Sequence, residues 1–220
     1  MTKKQRAQLV IEELEKLYPN PPIALDHTDP YTLLVAVALS AQTTDKKVNE
    51  VTPSLFQVAD TPQKMMRLEE WEIQELIKEI GLSNTKARNL KKMAEQLVTK
   101  HDGQVPESFA DLEDLAGVGH KTASVVMSQA FGHPAFPVDT HIHRLMKQWK
   151  LSSGKNVVET EKDAKNLFPK KTWNKLHLQI IYYGREYSPA RGKKDKDFLT
   201  QMMFNPDVDP ASSEPDLKTH

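Results

Sequence analysis

The chain is expected to be all-α. Three observations predict this: apolar residues recur at helical spacing in nearly every segment, capping signals precede most of those segments, and no stretch shows the strict alternation of a half-buried strand. Its 220 residues suffice for one large domain or two small ones around a real hydrophobic core. Two closely joined helical lobes are the expected organisation.

The elements follow in order. Lys4 to Tyr18 places Leu9, Val10, Leu14, Leu17 and Tyr18 on one helical face, and Asn20-Pro21-Pro22 ends it. Asp29-Pro30 reads as a cap followed by a first turn, and Leu33 to Leu39 is apolar on all sides, as in a helix through a core. Thr44 or Asp45 then caps a helix through Val48 and Val51, which Pro53 is expected to kink or stop. Thr61-Pro62 opens a short helix, and Trp71 to Ile80 forms another that closes on Gly81. Asn84 is the expected cap of a helix carrying Ala87, Leu90, Met93, Ala94, Leu97 and Val98. Asp102-Gly103 turns the chain. Short helical pattern from Phe109 to Leu115 leads to a helix from Lys121 to about Phe131, stopped by Gly132-His133-Pro134. Asp139 caps a segment through Trp149, and helical patterns over Asn156 to Leu167 and Thr172 to Tyr187 follow.

The absence of cysteine excludes disulfides, thiolate zinc sites and iron–sulfur clusters, and fits a reducing compartment. Met1 to Ala7 is basic but leads into an amphipathic segment, so neither a signal peptide nor a membrane span is read. A soluble, cytoplasmic protein is expected. The formal net charge is zero. Residues 206–220 hold four acids and one base, so the rest of the chain carries +3. Arg185, Arg191, Lys193, Lys194 and Lys196 concentrate part of that charge, as a nucleic-acid surface or a plain solvated face would. The segment from Asn205 has a disordered composition.

The chemistry centres on Leu115 to Val126, Leu-Ala-Gly-Val-Gly-His-Lys-Thr-Ala-Ser-Val-Val. Gly117 and Gly119 allow a sharp turn and close approach, and the helix they open presents N–H groups and a positive dipole end to an anion such as phosphate. Lys121 sits in the first turn beside that end, a setting in which a lysine amine serves as nucleophile. A helix from Lys121 to Phe131 is about 16 Å long. The seven residues Gly132 to Val138 span at most about 23 Å, enough to bring Asp139 back towards Lys121. An amine and a carboxylate beside a phosphate-binding turn suit attack on a sugar carbon. Asp139 is equally well explained as an ordinary N-cap worth ~1 kcal/mol. His141 and His143, two apart on a helix, point to different faces and are not read as metal ligands.

These residues resemble those of a known family. Leu115 to Val126 is similar to the helix-hairpin-helix of DNA glycosylases, and Pro137-Val138-Asp139-Thr140-His141-Ile142 to their aspartate-bearing segment. Leu39-Ser40-Ala41-Gln42-Thr43-Thr44-Asp45 and Gly81-Leu82-Ser83-Asn84-Thr85-Lys86-Ala87 also resemble segments of the endonuclease III family, in register from near the N-terminus to about Tyr187. The resemblance implies a six-helix barrel over roughly residues 22–134 and a second lobe built from residues 1–21 and 135–204. A DNA cleft would lie between them, with residues 205–220 as a tail.

It also implies roles. Lys121 matches the family's Schiff-base lysine and Asp139 its essential carboxylate. Gln42 matches the residue that fills the gap left by a flipped base, Leu82 the wedge into the opposite strand, and Gly117 and Gly119 the hairpin whose amides hold phosphate. His120 stands where most relatives have arginine, which weakens a phosphate contact at neutral pH. The implied activity is a bifunctional glycosylase and AP lyase acting on oxidised pyrimidines in duplex DNA, as a monomer reaching a bacterial nucleoid through DNA. An adenine or mismatch glycosylase is the alternative within the superfamily, and a non-catalytic DNA-binding module the alternative outside it. The family's four cluster cysteines fall on Ser188, Asp195, Phe198 and Phe204, so no 4Fe–4S cofactor is expected. Phe198, Leu199, Met202, Met203 and Phe204 are expected to form an apolar plug in its place, leaving Arg191, Lys193 and Lys194 to face phosphate.

Overall fold

The computed structural model describes residues 1–191 and 196–205. Lys193, Lys194, Asp195 and the segment 206–220 therefore lie outside the described residues, together with what was expected of them. Among the described residues there are twelve α-helices, one 3-10 turn and no strand, so the all-α expectation is met. No helix among them is long and apolar enough to cross a membrane. The chain divides into two compact units, an internal one over Ile23–Ala135 and a terminal one that joins Met1–Pro22 to the residues from Phe136 onward.

The internal unit holds α2 (Pro30–Leu39), α3 (Asp45–Val58), α4 (Pro62–Met65), α5 (Glu70–Leu76), α6 (Ser83–Lys100), α7 (Phe109–Glu113) and α8 (His120–Gln129). Asp29 caps α2 through a reciprocal box with Thr32, and Pro30 occupies the first helical position, where its missing N–H costs nothing. Its run of Leu33, Leu34, Val35, Ala36, Val37 and Leu39 is buried on every side, with α3, α6 and α8 packed around it. The longest helix, α6, also packs against α4 and α5, and α8 against α7.

One local expectation is narrowed here and two are corrected. Helix α3 is not stopped at Pro53 but runs through it to Val58. The face formed by Val48, Val51, Thr52 and Leu55 is buried, and that burial outweighs the ~3 kcal/mol a mid-helix proline costs. Helix α6 is not capped by Asn84. It starts at Ser83, and the cap position is Leu82, in the left-handed conformation. Helix α5 ends at Leu76 rather than near Ile80, because Ile77 and Ile80 continue the buried face from hydrogen-bonded turns rather than from helix.

The terminal unit contains α1 (Lys3–Leu17), α9 (Thr140–Gln148), α10 (Val157–Leu167), the 3-10 turn Lys170–Thr172, α11 (Trp173–Glu186) and α12 (Phe198–Phe204). Helix α1 packs on α11 and α12, and α9 on α10 and α11. The segment around the lost cysteine positions is the informative part. Phe198, Leu199 and Met203 are buried, with Met202 and Phe204 packed against the same cluster, and they form a helix that the sequence reading did not anticipate. Phe198 meets both Tyr183 and Tyr187 edge-on, each at 5.6 Å between ring centroids. Phe204 lies under Lys150 Nζ at 5.0 Å and the Arg6 guanidinium at 5.7 Å.

Polar groups lock this arm as firmly as apolar ones. The Tyr183 hydroxyl donates to Asp197 Oδ1 at 2.8 Å and accepts from the Leu199 N–H at 3.0 Å. Gln148 Nε2 donates to the other Asp197 oxygen and to Thr200 Oγ1. Burial first, and then the Asp197 charge, push the Tyr183 phenol well above its usual range, so it acts as a fixed donor. Ser188, also fully buried, accepts from Arg144 through both its hydroxyl and its carbonyl. Tyr183→Phe leaves a buried carboxylate oxygen and a buried N–H without this partner. The expected loss is about 1–3 kcal/mol in urea unfolding, and an unchanged midpoint would show that the network does not hold the arm.

Candidate DNA-repair site

Gly117 and Gly119 do different work. Gly117 has φ +78°, and a Cβ there would meet Asn89 Cβ at 3.0 Å, so the turn itself requires glycine. Gly119 is the N-cap of α8 with φ −96° and ψ 176°, extended backbone that any residue adopts, and a Cβ would meet nothing within 4 Å. A bare glycine at that place lets an outside surface approach the start of α8. No side chain caps the helix there.

The turn is held from behind. Gln96 on α6 donates from Nε2 to the Asp114 carbonyl at 3.0 Å and accepts at Oε1 from the Ala116 N–H at 2.8 Å, pairing with the hairpin as a second strand would. Lys100 adds an ion pair to Asp114 at 2.8 Å. Val118 and Leu115 anchor the loop in the core, while Gly117, Gly119, His120 and Lys121 are exposed. Lys121 is the second residue of α8. His120 Nδ1 is 2.7 Å from Glu113 Oε1 and its ring stacks on Phe109, so the side chain that replaces the expected arginine is turned towards α7.

Gln42 and Leu82 share an unusual property. Both are exposed and both hold positive φ, +58° and +60°. A left-handed conformation costs a non-glycine residue roughly 1–2 kcal/mol and persists only where the surroundings impose it. Leu82 is also 61% exposed, the reverse of what a leucine ordinarily does. The structure thus gathers Gly117, Gly119, His120 and Lys121 into one turn, and places Gln42 and Leu82 on two separate strained loops of the same unit.

The remaining candidates belong to the terminal unit. Asp139 Oδ1 accepts from the Ile142 N–H at 2.8 Å, so the N-cap reading of this residue holds. The residue is half-buried. Arg191 is exposed in a bend that follows α11. No group of His, Asp or Glu suited to a metal ion occurs among the described residues. Three residues that sequence reasoning did not single out, Lys86, Asn89 and Gln96, lie on α6 beneath the exposed loops. For Lys86 a signal existed, because it shares the spacing of Leu90, Met93 and Leu97, and a lysine on an apolar stripe must find polar partners inside.

Comparison with known proteins agrees with this geometry. Residues 35–170 match the model of the HhH-GPD superfamily base excision DNA repair proteins. Endonuclease III of Haemophilus influenzae is 43% identical over 191 residues, covering 87% of this chain and 90% of that protein. A solved non-covalent endonuclease III–DNA complex superposes with a TM-score of 0.88 at 37% identity, over 92% of this chain and 95% of that one. A trapped endonuclease III–DNA covalent intermediate does so with a TM-score of 0.85 at 39% identity, over 88% and 92%. With its hairpin, its uncapped α8 and matches over most of its length, the chain belongs to the endonuclease III family of base excision repair glycosylases, as a member without a single cysteine to ligate an iron–sulfur cluster.

Proposed function

We propose that this protein is a bifunctional DNA glycosylase and AP lyase that removes damaged bases, chiefly oxidised pyrimidines, from duplex DNA. The observation that carries the reading is the exposed Lys121 amine at the second position of α8, behind a glycine cap that leaves room for a phosphate. Support comes from the relatives: a trapped covalent DNA intermediate of an endonuclease III with 39% identity fits a lysine that bonds to DNA. The alternative of a non-catalytic module is disfavoured because the chain retains both a lysine at position 121 and an aspartate at position 139.

The chemistry assigns each residue a task. A base stacked in a duplex hides C1′, so it must be extruded at a cost of a few kcal/mol. Leu82, an exposed apolar wedge, and Gln42, an amide able to pair with the estranged base, offset part of that cost. The unprotonated Lys121 Nζ attacks C1′, the glycosidic bond breaks, and the base departs with the bonding electrons and takes up a proton. Asp139 stabilises positive charge developing on the sugar, its cap bond using Oδ1 alone. Opening of the C1′–O4′ bond leaves a Schiff base to Lys121. This acidifies the C2′ proton, whose removal expels the 3′ phosphate and cuts the strand. Water then hydrolyses the imine and restores the amine.

Borohydride reduction during reaction with lesion-bearing duplex should yield a covalent protein–DNA adduct that Lys121→Ala does not form. Equal trapping by Lys121→Ala would remove the lysine from its role, and tight binding with neither trapping nor base release would favour the module. Asp139→Asn keeps the cap and removes the charge. Unfolding free energy should change by less than about 0.5 kcal/mol while single-turnover base release falls by roughly 100-fold or more; wild-type release would reduce Asp139 to a cap. Gly117→Ala and Gly119→Ala separate the two glycines. The first should lose about 1–2 kcal/mol of stability. The second should unfold like wild type yet bind an abasic-analogue duplex more weakly in fluorescence anisotropy, and undiminished binding would show that no phosphate approaches there.

A further inference from the structure

Lys86 stands out as a buried cation with no acidic partner among the described residues. The residue is 8% exposed, and its three ammonium protons have three acceptors: the Leu39 carbonyl at 2.9 Å, the Ala41 carbonyl at 2.7 Å and Thr43 Oγ1 at 3.1 Å. Leu39 ends α2, so the ammonium sits where that helix leaves unpaired carbonyls and the negative end of its dipole. Residues Leu39, Ala41 and Thr43 lie on both sides of Gln42, and the chain between them wraps the amine. The same residue also has its backbone N–H bonded to the Leu82 carbonyl at 3.0 Å.

One residue thus joins the two strained, exposed loops. From the juxtaposition of these four hydrogen bonds we infer that Lys86 is a positioning residue, which holds the Gln42 loop against the Leu82 end of α6 so that both side chains are set to enter DNA as one preformed tool. The inference rests on the reading of Gln42 and Leu82 as residues that insert into DNA. Its physical logic is preorganisation. A loop free to move would have to be ordered during base extrusion, whereas one tied beforehand spends no binding energy on ordering. Burial lowers the Lys86 pKa, which marks the amine as enclosed rather than solvated and agrees with its geometry. The two left-handed residues fit the same account, since strained backbone survives only where a bond network enforces it.

The test uses the full chain and asks whether the defect follows the need to unstack a base. Lys86→Met keeps the stem, the helix propensity and the backbone bond to Leu82 but removes all three ammonium donors. On a fully paired duplex carrying one oxidised pyrimidine, its single-turnover base release should fall about tenfold or more. On the same lesion within a three-nucleotide mismatched bubble, where unstacking is already done, it should return to within about threefold of wild type. Equal losses on both substrates would mark a merely structural role and overturn the inference, as would no loss on either. Thr43→Val removes only one acceptor and serves if Lys86→Met does not fold; it should show a smaller loss, about threefold, with the same rescue by the bubble. Gln42→Ala and Leu82→Ala separate this inference from the reading beneath it. If they release base from paired duplex at wild-type rate, the insertion reading fails. If they are slow and Lys86→Met is not, the positioning role alone fails. Lys86→Met added to Gln42→Ala should cost less than it does alone, because a loop without its glutamine gains little from being held.

Discussion

Helix α2 ends on the fully buried Leu39, and the carbonyls of its last turn must be satisfied. Ser40 meets part of the need by folding its N–H and hydroxyl back onto the last turn. The rest falls to a lysine that arrives from α6, 47 residues later in sequence. Once that amine is in place, the path of the chain from Leu39 to Thr43 is determined, and with it the exposure of Gln42. The loop's shape is therefore a by-product of finishing a core helix.

The same logic extends along α6. Leu82 stands at its start, Lys86 grips one exposed loop, Asn89 packs under Gly117, and Gln96 pairs with the hairpin backbone. The Gln42 loop and the Gly117 hairpin are thus both backed by side chains on one helix, whose Leu90, Met93 and Leu97 are set in the core. A rigid element with short reaches to several loops controls relative placement better than separate supports would. In the terminal unit, hydrogen bonds and aromatic packing around Tyr183 and Asp197 give the short α12 arm enough buried contact to stay folded.

What could be read in the sequence was what is decided locally. Asp29, Thr44, Thr61, Asn156 and Asp139 are caps because a short side chain reaches an N–H three residues on, and nothing distant is needed. The Gly117 turn and the lysine after it are local in the same sense. Pro53 does not stop α3 because its penalty is local while its compensation is tertiary. The apolar residues of α12 stood out, but a seven-residue helix has little propensity of its own and forms on the surface offered by Tyr183, Tyr187 and α1. Leu82 could not have been read as a helix cap, since no local preference puts leucine in the left-handed region. The spacing of Lys86 marks it as buried but does not name its partners, and nothing local marks Gln96, because those partners lie 47 and 18 residues away.

The terminal unit is discontinuous, and this orders events during synthesis. Helix α1 is made before the rest of its unit, and the faces it packs on belong to α11 and α12, more than 150 residues later. At about 5–20 residues per second, α1 waits roughly 8–30 s for its partners while the internal unit emerges whole and can close around α2. Val10 and Leu14, fully buried in the folded protein, belong to a core whose members beyond α1 are made later. All of the unit that carries Lys121 is therefore synthesised before the unit that carries Asp139 is complete.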